Sequence, residues 1–301
     1  MEQITSLPES LPEETAVALG FFDGMHLGHR AVLGAAKGKG LLPTAFTFST
    51  AGRMPGGKTG GRIYPDTLRV RMLGENGAQL VVMPDFSAIA GMGPETFADF
   101  LCGPLRARWV LCGEDYRFAA GASANAQDLK RLCAARGCQA EILPPVLVEG
   151  ERVSSTRIRA LLREGRMAEA GRLLGAPYRL EAPVEHGRRL GRTLGFPTIN
   201  QALPPDAALP RYGVYIAEAL AGESWVPALT NIGVRPTVGS GLAPRAETYL
   251  EGYSGDLYGE TVRVRLLDFL RPERRFSGVD ELRAQIAADR QARMDWKGIR
   301  P

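Results

Sequence analysis

The stretch Gly20-Phe21-Phe22-Asp23-Gly24-Met25-His26-Leu27-Gly28-His29 holds two of the chain's three histidines, and its reading decides the fold of the first half. The apolar run Ala16-Val17-Ala18-Leu19 before it reads as a short buried strand, and Leu27 to Lys37 after it reads as a helix. The histidines therefore stand where a strand becomes a helix, and their i, i+3 spacing puts both on one helical face. Free N–H groups and the positive end of the helix dipole gather at such a point, so an anion such as a nucleotide phosphate is the natural ligand. Glycines at 20, 24 and 28 let the backbone turn tightly and let a ligand come close. The plainer alternative is a polar strand-to-helix turn with incidental histidines.

Outward from this stretch, up to about residue 175, strand-like and helix-like segments alternate. Ala45-Phe46-Thr47-Phe48, Leu80-Val81-Val82-Met83 and Trp109-Val110-Leu111-Cys112 are short and β-rich. Thr67–Asn76, Pro94–Leu101 and Ala126–Arg136 carry helical patterning. This alternation predicts an α/β domain, a parallel sheet with helices on both faces and a ligand beyond the carboxyl ends of its strands. After Leu174-Gly175-Ala176-Pro177 the pattern changes. Gly213–Ala217, Ala246–Leu250 and Thr261–Leu266 are β-type segments separated by turns, which predicts a small antiparallel barrel. Val279–Met294 then reads as an amphipathic helix with Leu282 and Ile286 on one side. We expect two domains, 1–175 and 176–301.

Composition sets bounds on function. A chain of 301 residues is long enough for two cores, and 45% hydrophobic with 23% charged residues is ordinary for a globular protein. A formal charge of +4, with scattered arginines, argues against a nucleic-acid footprint. Met1–Glu14 has neither the basic start nor the apolar run of a signal peptide, and no apolar stretch is long enough to cross a bilayer. A cytoplasmic protein without a membrane partner is expected. Cys102, Cys112, Cys133 and Cys138 show no C-x-x-C spacing and no matched histidines, so they read as buried free thiols rather than a zinc site.

Four further segments bear on chemistry. Gly52-Arg53-Met54-Pro55-Gly56-Gly57-Lys58-Thr59 fits the P-loop pattern letter for letter, but Gly60-Gly61 and Pro65 follow where that loop needs a helix. It reads as a flexible Gly-rich loop. Ser154-Ser155-Thr156 followed by Arg157 opens a helix with more hydroxyls and positive charge than capping needs, which suits a polyphosphate. Gly187, Gly191, Arg192 and Gly195 read as a flap over phosphates, leading through Pro197 to Thr198 and Asn200. These two alternate along an extended segment, so their oxygens share a side and, with nucleotide phosphates, suit Mg²⁺. An ordinary loop entering a strand explains the same spacing equally well. Glu247 is a lone acid among β-type residues, for which solvent exposure is the default explanation.

Together these segments closely resemble the bifunctional prokaryotic riboflavin kinase/FAD synthetase family, from about Ala16 to Asp289. The first half is similar to its FMN adenylyltransferase domain, a Rossmann-like member of the HxGH nucleotidyltransferases. The residues that carry the likeness are Gly20-Phe21-Phe22-Asp23-Gly24-x-His26-x-Gly28-His29 and Ser154-Ser155-Thr156-Arg157-Ile158-Arg159. The second half resembles the riboflavin kinase barrel through Gly191-Arg192-x-Leu194-Gly195-Phe196-Pro197-Thr198-x-Asn200, Asn231-Ile232-Gly233-x-Arg235-Pro236-Thr237, Glu247-Thr248-Tyr249 and Gly255-Asp256-Leu257-Tyr258-Gly259.

The resemblance implies two reactions with ATP: riboflavin to FMN in the barrel, and FMN to FAD with release of pyrophosphate in the first domain. It implies Mg²⁺ at Thr198 and Asn200, Glu247 as general base, and His26 and His29 against the reacting phosphates. Gly20, Phe21, Asp23, Gly24, Gly28, Ser154, Ser155, Thr156 and Arg157 would line one ATP site, and Gly187, Gly191, Arg192, Gly195 and Pro197 the other. Tyr116, Phe118, Asn125 and Arg271 are the flavin-side candidates. The chain departs from the family pattern at two places. Ser49-Thr50-Ala51-Gly52 replaces a proline-histidine-proline element, and Ala119 stands where a glycine is usual. If that glycine has φ > 0, alanine strains the loop. Two other readings stay open at this point: a kinase whose first domain has weakened or lost its chemistry, and a flavin-binding regulator without turnover.

Overall fold

The computed structural model describes residues 1–50, 60–186, 196–237 and 241–298. The chain forms two compact units, Met1–Ser155 and Thr156–Pro301.

The first unit runs β1 (Glu2–Ile4), β2 (Thr15–Leu19), α1 (Leu27–Lys37), β3 (Leu42–Phe46), α2 (Asp66–Glu75), β4 (Leu80–Val82), α3 (Pro94–Cys102) and β5 (Ala107–Gly113). It continues with the short hairpin β6 (Arg117–Phe118) and β7 (Ala124–Asn125), α4 (Ala126–Ala134), β8 (Gln139–Leu143) and a second hairpin, β9 (Leu147–Val148) and β10 (Glu151–Arg152). Six strands make a parallel sheet in the order β1-β4-β3-β2-β5-β8. Every residue of β2 is buried, as a central strand covered by helices on both faces requires. The order runs β2, β3, β4 to one side and β5, β8 to the other, so the sheet reverses at β2/β5. Open α/β sheets bind ligands at such a point, beyond the carboxyl ends of the strands. The expected parallel α/β fold is present, and β1 adds an edge strand that its three residues gave no pattern to announce.

The second unit carries α5 (Ser155–Glu164, its first residue belonging to the first unit) and α6 (Met167–Leu174), then the barrel. The division precedes the boundary expected near Gly175 because α6 packs on barrel strands β11 (Tyr178–Glu185) and β16 (Thr261–Arg271). Between these strands run β12 (Thr198–Ala202), β13 (Gly213–Ala221), β14 (Ser224–Thr237) and β15 (Gly241–Leu250). They close in the order β11-β12-β15-β14-β13-β16, all antiparallel. Closure leaves no open edge to pair with another chain. Inside, the Gln201 side chain donates to Ala182 O at 2.7 Å and Val262 O at 2.8 Å, and the Thr230 and Thr248 hydroxyls meet at 2.9 Å. Gly213 has φ +148, and a Cβ there would fall 2.3 Å from the carbonyl oxygen of Arg271, so only glycine fits.

The last helix, α7 (Val279–Asp295), turns Leu282, Gln285, Ile286 and Asp289 inward at helical spacing. Its buried Asp289 accepts from the Arg271 guanidinium at 2.9 and 2.7 Å and from Gln285 Nε2 at 2.8 Å. A buried carboxylate is tolerated there because it is paired and hydrogen-bonded.

The hairpin β6–β7 answers the question raised by Ala119. Ala119 has φ +67 and ψ 174, a region that glycine alone enters freely, and Ala122 N–H donates to Ala119 O at 2.9 Å. Arg117 holds the same turn by donating to Ala122 O at 2.9 Å. The alanine is therefore strained, as the departure from the family pattern suggested. Ala119→Gly is expected to stabilise the first unit by about 1 kcal/mol, the relieved strain outweighing the added freedom of the unfolded chain. A urea titration measures it, and an unchanged or lower midpoint contradicts it.

Candidate functional site

The turn from β2 to α1 is the first site. His26 is the N-cap of α1, and its Nδ1 accepts the backbone N–H of His29 at 3.3 Å. A neutral His26 must then carry its proton on Nε2. The two imidazoles stack with centroids 3.6 Å apart and planes 16° from parallel, while His29 stands edge-on to Phe22 at 5.4 Å. Gly28 makes the arrangement possible: a Cβ there would lie 3.1 Å from His26 Cε1 and 3.2 Å from its Nδ1. The backbone takes left-handed values at Phe22 (φ +55), Gly24 (φ +90) and Met25 (φ +42). Such strain persists only when the surroundings impose it, and Phe22 and Met25 are fully buried.

The imposition comes from polar side chains. Buried Asp23 accepts the N–H groups of Ile63 at 2.9 Å and Tyr64 at 3.3 Å. Its own carbonyl accepts from the Ser155 hydroxyl at 2.8 Å, which ties the first residue of α5 to the histidine turn. Arg69, 1% exposed, reaches Phe21 O at 2.6 Å and Phe48 O at 2.8 Å and pairs with Asp66 at 2.8 Å. Its guanidinium also lies over the Phe21 ring at 4.2 Å. This arginine joins the segments just past β2 and β3, although in the sequence it sits in a helix with ordinary surface spacing. Asp66-x-x-Arg69 was the one available signal. Residues 60–65 run on without helix to α2, as the rejection of a P-loop requires, while Gly52–Thr59 lies outside the described residues.

The other expected residues divide. Ser154 precedes α5, and Ser155, Thr156 and Arg157 form its first turn. Tyr116 and Phe118 are stacked at 6.1 Å, and Phe118 is buried against Phe97 at 5.3 Å. Burial pushes the Tyr116 hydroxyl pKa up. Asn125 caps α4: its Oδ1 accepts from Gln127 N–H at 2.8 Å and Asp128 N–H at 3.2 Å, and Asp128 accepts from Asn125 N–H in return. Arg271 belongs to the barrel.

The second site is on β12, β15 and β14. Asn200 stands directly opposite Glu247, and Glu247 opposite Asn231, so three polar side chains form a row across three strands on one face. Thr198, two residues along, opposes Tyr249 and shares that face. Asn200 is buried and Glu247 half-buried, so Glu247 is not the solvent-facing acid that its neighbours allow by default. A cavity of about 310 Å³ is lined by Thr198, Asn231, Glu247, Tyr249, Arg271 and Phe276 among others. A second, of about 350 Å³, is lined by Pro197, Thr198, Gly255, Asp256 and Tyr258. Thr198 belongs to both. Glu273, unnoticed in the sequence, lines the first cavity and accepts from Asn231 Nδ2 at 3.1 Å. Gly187, Gly191, Arg192 and Gly195 lie outside the described residues. Among the described residues, no helix is long and apolar enough to cross a membrane.

Comparison with known proteins matches the two halves of the chain to two families. Residues 9–157 match the FAD synthetase family, and residues 174–297 match the riboflavin kinase family. The chain is 33% identical to the bifunctional riboflavin kinase/FMN adenylyltransferase of Escherichia coli strain K12, over 98% of this chain and 97% of that protein. It is 30% identical to the protein of the same name from Bacillus subtilis strain 168, over 92% and 91%. A crystal structure from Streptococcus pneumoniae, described as a macrolide-efflux protein, superimposes with a TM-score of 0.85 at 30% identity, over 98% and 99%. With both family matches in their expected order, and with relatives aligned almost end to end, the chain belongs to the bifunctional riboflavin kinase/FMN adenylyltransferase family.

Proposed function

We propose that the family's two activities, phosphorylation of riboflavin to FMN and adenylylation of FMN to FAD, are divided between the barrel and the parallel-sheet unit, each with its own ATP. The row Asn200–Glu247–Asn231 carries the kinase half of this reading. Glu247 takes the proton of the ribityl 5′-hydroxyl as that oxygen attacks the γ-phosphorus of ATP, and ADP leaves. A base needs hydrogen-bond reach to the proton it takes, and Glu247 lines the cavity in which the hydroxyl would lie. The donor set fits Mg²⁺: Thr198 and Asn200 present neutral oxygens on the face that bears the Glu247 carboxylate, and this ion takes its remaining ligands from phosphates and water. Bound there, it would neutralise charge on the transferred phosphoryl group.

In the first unit the FMN phosphate attacks the α-phosphorus of ATP, and pyrophosphate leaves. His26 and His29 stabilise charge on the reacting phosphates, and Ser155, whose hydroxyl donates to Asp23 O in the histidine turn, holds the leaving portion. No covalent intermediate is needed, so catalysis is positioning and electrostatics. The stacked imidazoles at the point where the sheet reverses support this assignment. Tyr116 and Phe118 are the flavin-side groups of this unit, and Arg271 that of the barrel. Four free cysteines suit a reducing cytoplasm.

Purified protein given riboflavin, ATP and Mg²⁺ should form FMN and then FAD, resolved by chromatography; absence of both products overturns the reading. Glu247→Gln should lower FMN formation at least about 100-fold while leaving conversion of supplied FMN to FAD intact. His29→Ala should do the reverse, and loss of both activities in either variant argues against a division of labour. Gly28→Ala should slow FAD formation and spare the kinase, because the added methyl displaces the His26 ring from its cap; normal FAD formation contradicts that role.

A further inference from the structure

Three of the four cysteines converge in the first unit, where Cys102 meets Cys133 and Cys138 from an earlier helix. Cys102 ends α3, Cys133 lies in the last turn of α4, and Cys138 immediately precedes β8. Their sulfur atoms all lie within 4.8 Å of one another. Cys133 and Cys138 are buried, whereas Cys102 keeps a partly exposed side. Cys112 is buried and takes no part in the group.

We propose that Cys102, Cys133 and Cys138 form a binding site for a thiophilic divalent metal ion, and that Zn²⁺ is the ion it takes. Sulfur-only ligation selects soft or borderline metals over Mg²⁺ or Ca²⁺. Zinc–sulfur bonds of about 2.3 Å at tetrahedral angles place sulfurs about 3.8 Å apart, so the group closes around the ion with a shift of about 1 Å or less. The partly exposed side of Cys102 gives the ion a way in and leaves a fourth position for water. Three thiolates on a dication carry one net negative charge. Arg136, on the turn between α4 and β8, ties that turn to α3 by pairing with Glu95 at 2.9 Å and Asp99 at 2.7 Å, which fixes the elements that carry the sulfurs. Ligand spacing could not reveal this, because C-x-x-C rules describe sites built from one turn, and here three elements each contribute one sulfur.

Such an ion would join α3, α4 and β8 on elements separate from those bearing His26 and His29. The test uses reduced, full-length protein exposed to ZnCl₂ in the presence of excess MgCl₂, then desalted and assayed for metal. Wild type should retain about one zinc per chain, and CoCl₂ in its place should give thiolate-to-cobalt charge-transfer absorption. Cys133→Ser and Cys102→Ser should each lose at least about nine-tenths of the bound metal and the absorption, whereas Cys112→Ser should keep both. Cys102→Ser, at the partly exposed position, serves where the buried substitution fails to fold, and retained conversion of supplied FMN to FAD, the activity proposed above for the first unit, reports that this unit is intact in each variant scored. Absence of bound metal in wild type, or metal and cobalt absorption unchanged in both Cys102→Ser and Cys133→Ser, overturns the proposal.

Discussion

Two buried charged side chains hold the crossing from β2 to α1, and the histidine turn keeps its shape because they do. Asp23 accepts two backbone N–H groups from the segment before α2, and Arg69 of α2 donates to two carbonyls just past the ends of β2 and β3. A charge in the interior is costly unless it is paired and hydrogen-bonded, so this pair has essentially one arrangement available. That arrangement drives three residues of the turn into left-handed backbone and sets His26 as the helix cap. The imidazole pair is thus a by-product of backbone satisfaction in three neighbouring loops.

The barrel solves a different problem with register. Closing six antiparallel strands fixes which residues stand opposite one another, and a slip of one residue would turn Glu247 to the barrel interior. The interior is itself register-specific. Gln201 bridges two carbonyls from β11 and β16, and the Thr230–Thr248 hydroxyl pair sits beside the Asn231–Glu247 pair on the opposite face. Alternation along β14 and β15 therefore assigns one face to the barrel interior and the other to the polar row of Asn231 and Glu247. Arg271 and Asp289 then hold α7 along the same cavity.

Much of this was legible in the residues. Strand positions, the order of α/β and barrel segments and the helix after Val279 follow from periodicity, and the histidine turn and the Thr198/Asn200 pair from spacing. What escaped shares a physical cause: it depends on contacts between residues distant in the chain. Arg69 looks like a surface arginine until Phe21 and Phe48 are brought to it. The cysteines look unrelated until α3, α4 and β8 pack together. Met167–Leu174 gave no warning that it would dock on the barrel and move the division between units forward to Ser155. Ala119 shows the opposite case, where one letter in a short loop foretold a strained φ.

Thr198 lines two cavities at once, one beside Glu247 and one beside the Gly255–Tyr258 loop. A partition shared by two chambers cannot be reshaped for one tenant alone. Any larger residue in its place would narrow both chambers at once, and a small hydroxylated side chain leaves room in each.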